Sequence, residues 1–104
     1  MTAELRDARP PMSTDVSESR GIPAEVLDEA VVRHVLWQYG LAGAQEPGHF
    51  STALMAAFQR ADVENFARLR SVYPVVGFWM FALRFAPEGH ELALRALRLM
   101  GATP

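Results

Sequence analysis

Large apolar residues are nearly absent from residues 1–21, where charges, serines and Pro10-Pro11 alternate, but from Ile22 onward they recur at helical spacing. The first stretch reads as a flexible tail, because a segment so poor in buriable surface cannot offset the entropy of ordering it. Residues 22–101 read as a single helical domain. Helices are expected over approximately 23–39, 49–61, 63–73, 75–86 and 88–100, which makes the fold class all-α, a compact bundle of about five short helices. A strand is the alternative for residues 75–86 (VVGFWMFALRFA). Two β-branched residues, and no partner strand elsewhere, favour a buried helix there.

The helix boundaries come from local chemistry. Pro23 suits a first helical position, with Glu25, Asp28 and Glu29 near the positive end of the dipole and Gly40 as the stop. Val26, Leu27, Ala30, Val31, His34, Val35 and Trp37 share a broad apolar sector of that helix, and Val32 and Leu36 form a second stripe opposite it. In the second helix Phe50, Ala53, Leu54, Ala57 and Phe58 share one side. Continuing it through Asp62 would swing the apolar face by roughly 150° to meet Phe66, Leu69 and Tyr73, so the chain breaks there. Asp62 is then an N-cap, with Asn65 placed to answer it as in a capping box, and Gly101 is the C-cap of the last helix.

Composition narrows the function classes. A chain of 104 residues supports one core. With no cysteine it has no disulfide framework, zinc-thiolate site or cysteine nucleophile. The net charge of -2 gives no broad basic field for nucleic acid, and no apolar run approaches the ~20 residues of a membrane span. A cytoplasmic location is the expectation.

Candidate chemistry is sparse. None of His34, His49 and His90 has a second ligand at helical metal-site spacing, so no metal is expected. His34 reads as a core or interface histidine and His49 as positional, and His90 points away from its neighbour Glu91. There is no nucleophile elbow, phosphate loop or dinucleotide fingerprint, so neither catalytic residues nor a cofactor are expected and the chain reads as non-enzymatic. Arg60, Arg68 and Arg70 raise the alternative of a DNA-binding regulator. Asp62 and Glu64 sit among them, and Arg68 and Arg70 lie about 160° apart on one helix, so nucleic acid is disfavoured.

The surplus is apolar. The last two helices expose apolar residues over more than half their circumference. Either the fourth helix is wrapped by the others or two chains share a core. On the second reading a symmetric homodimer uses Gly77, Met80, Phe81, Leu94 and Leu97, with Val32 and Leu36 as a secondary contact.

Residues 47–74 carry a pattern of their own: Pro47-Gly48-His49-Phe50, Ala53-Leu54, then Ala57-Phe58-Gln59-Arg60-Ala61-Asp62 with Asn65, Leu69 and Tyr73-Pro74. This stretch resembles small conserved proteins of actinobacterial phages and prophages, in which a PGSF or PGHF turn leads one helix and an RAD-x-x-N junction leads the next. After Pro74 the chain departs from many of them in its very apolar VVGFWMFALRF. The resemblance implies a setting rather than an activity. Physically the motif reads as punctuation: Gly48 for a tight approach, Phe50 as a core anchor, Asp62 and Asn65 as a cap. The expected function is that of a phage-type accessory protein acting by protein contact, for example by binding and inhibiting a host or defence protein. A self-assembling structural subunit is the alternative.

Overall fold

The computed structural model describes residues 22–103; the flexible tail expected over residues 1–21 lies outside them. A short 3-10 turn, Ala24–Val26, precedes α1 (Glu29–Gln38), α2 (His49–Arg60), α3 (Val63–Val72), α4 (Pro74–Phe85) and α5 (Gly89–Leu99). There is no strand among the described residues. The bundle is all-α, and residues 75–85 are helical as the sequence favours.

α4 is the hub. It packs against α1, α2, α3, α5 and the 3-10 turn, which resolves its excess of apolar residues by wrapping rather than by exposure. Gly77, Trp79, Met80 and Ala82 of α4 are buried, together with Val32, Val35 and Leu36 of α1, Met55 and Phe58 of α2, Phe66 of α3, and Ala93, Ala96 and Leu97 of α5. The Trp79 indole is fully enclosed, and its Nε1-H donates to the Val26 carbonyl at 2.8 Å.

That hydrogen bond explains the first correction to the sequence reading. The first helix does not run from Pro23. Pro23 instead caps the 3-10 turn with no side-chain bond, Leu27 breaks the helical path, and Asp28 caps α1 by accepting from the Val31 N-H at 3.2 Å. A continuous helix would commit the Val26 carbonyl to its own ladder, whereas here it satisfies the buried indole. Starting later also settles which face of α1 is buried. Val32, Val35 and Leu36 point inward, while Ala30 and Trp37, assigned to the inner sector, are exposed.

Two helix ends match a known local geometry. α1 closes with Gly40 N-H donating to the Trp37 carbonyl and Leu41 N-H to that of Leu36; α5 closes with Gly101 N-H to Arg98 and Ala102 N-H to Leu97. Both glycines have positive φ, 67° and 78°, as this paired closure requires. Asp62 caps α3 by accepting from the Asn65 N-H at 2.8 Å. Asn65 does not return the bond, since its side-chain oxygen accepts from Arg68 instead.

Other expectations in residues 47–58 shift with the rotation of α2. Phe50 is not a core anchor: it is 64% exposed and lies against the Tyr73 ring at 6.1 Å, while Met55 and Phe58 fill the core. Gly48 makes no tight approach, because a methyl group there would meet nothing within 4 Å. Close approaches occur elsewhere. A Cβ at Gly89 would overlap the Ala82 carbonyl, and one at Gly77 would lie 2.6 Å from Arg70 Cγ. The chain end is fastened by Arg33, which bonds Glu29 and the carbonyls of Gly43 and Thr103.

Trp79→Phe takes away the indole bond to the Val26 carbonyl, which keeps only the Asp28 N-H at 3.0 Å, and opens space in the core, so it should cost about 2–3 kcal/mol by urea denaturation. Gly89→Ala should cost about as much, because the obstacle is backbone and α5 must shift to admit the methyl group.

Candidate functional site

The dimer face expected from sequence is for the most part not a surface. Val32, Leu36, Met80 and Leu97 are fully enclosed within one chain, and Gly77 is buried beneath the Arg70 side chain. Leu94 is half-buried near Gly43 and Leu97. These residues form the core because α4 is surrounded by the elements of its own chain. Phe81 alone of the set is exposed, at 45%.

Phe81 belongs to a different feature. The N-terminal half of α3 and the C-terminal half of α4 diverge to leave an apolar groove of about 530 Å³, with Phe66 and Ala67 on one wall and Phe81 and Phe85 on the other. Val63 forms its rim and is 86% exposed, and Phe85 is 52% exposed. Phe66 is the floor, buried against Phe58 with ring centroids 5.0 Å apart, and it meets Phe81 at 6.1 Å and Phe85 at 5.8 Å. Phe81 and Phe85 lie one helical turn apart, 5.1 Å between centroids.

Guanidinium groups border this aromatic row. Arg84, the only charge in α4, donates through Nη1 to the Phe58 carbonyl at 2.6 Å and the Ala61 carbonyl at 3.0 Å. Those carbonyls lie at the end of α2, where the helix dipole favours a cation. The same guanidinium lies over Phe85 at 4.8 Å and Phe66 at 5.8 Å. Arg70 runs its alkyl stem across Gly77 and ends over Phe81 at 5.3 Å. Among the described residues neither arginine has a carboxylate within salt-bridge distance.

The other candidates do not assemble. Arg60 and Arg68 line a shallow groove of about 490 Å³ between α2 and α3, but Arg68 is paired with Glu64 at 2.7 Å and Arg70 faces α4. His34 borders a cavity of about 30 Å³ with Ser51 and Met55, His49 is exposed at the start of α2, and His90 is half-buried on α5. No cluster of metal-ligating side chains occurs among the described residues, and no helix there is long and apolar enough to cross a membrane.

Val63, Phe85 and Arg84 lie outside the residues that the sequence singles out. A signal for Arg84 was available: a lone cation within an otherwise apolar helix must find acceptors, and the carbonyls of a neighbouring helix end are the obvious ones. Phe85 carries no comparable signal, because apolar residues cover nearly every face of that helix and its periodicity does not mark which of them stays outside.

Behind the groove Tyr39 is half-buried where α1 meets α2, near a Gln38–Gln59 amide bond of 2.9 Å. Burial raises the phenol above its ordinary 10.0, with Gln59 and Arg84 partly opposing the shift. The unfolded phenol ionises first, so this contribution to stability is intact below pH 10 and declines as pH rises through the folded value. Denaturant melts on either side of pH 10 should show that decline, and Tyr39→Phe should remove it. Arg84→Met should cost about 1.5–3 kcal/mol by losing two charge-assisted bonds, whereas Phe85→Ser should cost under about 1 kcal/mol because the ring is half in water.

No family model, curated protein or solved structure matches the chain, so the groove must be judged by its own chemistry.

Proposed function

We propose that the chain is a non-enzymatic, cytoplasmic helical domain that acts by protein contact, with the α3–α4 groove as its contact surface. The observation that carries this reading is the row Phe81, Phe85 and Val63, 45%, 52% and 86% exposed, gathered over the buried Phe66 floor in one apolar groove. Aromatic residues in a concave apolar setting are what anchor protein interfaces, and holding such a row in water lowers solubility without helping the fold. The groove holds no nucleophile or base pair with which to do chemistry, and its one acid, Asp62, is engaged in capping α3. A small accessory protein of a phage or prophage, the setting implied by the resemblance over residues 47–74, is consistent with action by occupying a surface.

Phe85→Glu places a charge at the groove mouth while leaving the buried residues intact, and should fold with an unchanged circular dichroism spectrum. Proteins retained from host lysate by the wild-type chain should be lost by this variant. Retention of the same proteins by both, or of none by either, overturns the reading.

A further inference from the structure

We infer that the groove receives an acidic amphipathic helix, whose apolar face lies on Phe81 and Phe85 and whose carboxylates pair with Arg70 and Arg84. This inference rests on the groove being the contact surface and adds the chemistry of what it contacts.

Charge is unevenly divided along the chain. Residues 57–85, which build the groove, contain Arg60, Arg68, Arg70 and Arg84 against Asp62 and Glu64, a balance of +2. Residues 22–56 contain Arg33 against Glu25, Asp28, Glu29 and Glu46, a balance of -3. Of these, Arg70 and Arg84 border the exposed aromatic row and Arg60 and Arg68 line the neighbouring α2–α3 groove, so an acidic segment is steered to this half of the protein and away from the acidic half.

The two arginines are well placed for this role. Each guanidinium stacks on a ring of the row, Arg70 on Phe81 and Arg84 on Phe85, and neither has a carboxylate partner among the described residues. Stacking holds the planar fork in place, so little further ordering is needed when a carboxylate arrives. The cations sit over rings one turn apart on α4. A helix laid along the groove meets them with acids at i and i+4 or i and i+7, about 6–10 Å apart at 1.5 Å per residue, with large apolar residues between them.

The same charges disfavour other occupants. A two-fold pairing of this patch with a second copy brings Arg70 and Arg84 of both chains together, and Asp62, the one carboxylate of the groove, is engaged in capping α3. A single nucleic acid strand needs open ring faces for stacking, yet Phe66 meets Phe81 and Phe85 edge-on at 70° and 68°, and guanidinium groups already lie over Phe81 and Phe85.

The test uses the full chain and a pair of synthetic helices of about four turns with identical Leu and Phe anchors, one carrying glutamates at the flanking positions and the other lysines. Fluorescence anisotropy should show the glutamate peptide binding about tenfold tighter at low salt, with the advantage shrinking as salt is raised. Arg70→Met keeps the stem over Gly77 and removes the charge. It should reduce that advantage severalfold and leave the lysine peptide unaffected. Phe85→Glu should weaken both peptides. Equal binding of the two peptides that is lost in Phe85→Glu overturns the acidic partner and leaves the contact surface standing. Binding of neither peptide overturns both. A wild-type dimer that Phe85→Glu converts to monomer assigns the groove to a second copy. Preferential binding of a single-stranded oligonucleotide assigns it to nucleic acid. Either result overturns the inference.

Discussion

A helix as apolar as α4 cannot leave a whole face in water, and the paths of the other elements follow from covering it. α1, α2, α3 and α5 all pack against it, and the 3-10 turn closes over the Trp79 indole. The indole N-H is the one polar group that α4 carries into the centre, and the Val26 carbonyl answers it. The turn, the displaced start of α1 and its Asp28 cap all serve to bring that carbonyl there. Burial and hydrogen bonding therefore select one arrangement where helix propensity alone would have run the first helix straight through from Pro23.

The groove is what remains once that wrapping is complete. α3 is a short helix that follows α2 after a break at Asp62 and covers one flank of α4. The residues it presents to the groove beside Phe66 are Val63 and Ala67, which are too small to fill the space up to Phe81 and Phe85. Phe66 enters the core and becomes the floor. Arg84 then joins fold and surface in one side chain: two of its bonds hold the end of α2, and the plane of the same group stacks on the exposed ring.

Much of the architecture was legible because helices are written in short-range signals. Asp62, Gly40 and Gly101 each act through bonds within a few residues, so their roles could be read directly from the chain. Facing was harder to read. Val32 and Leu36 looked like a stripe opposite the core because Val26, Leu27 and Ala30 were counted in the same helix. Once the helix starts at Glu29, that stripe is the buried face. In α2, which begins where the sequence places it, Phe50 lies outside and Met55 and Phe58 inside, because the apolar residues span a sector wider than the face that is covered. Of the residues expected on a dimer face, Phe81 is exposed while Gly77, Met80 and Leu97 are buried. Where α3 lies against α4 depends on contacts between segments far apart in the sequence, and periodicity within one helix carries no information about them.

Gly77 lies outside the groove, behind the stem of Arg70, yet it governs how closely α3 can approach α4. A methyl group at that position would act as a wedge, levering the arginine outward and uncovering the Phe81 ring it shelters. The aperture of the groove is thus held by a residue outside its lining. Its shape can drift through exchange at a hidden position while every lining side chain stays the same.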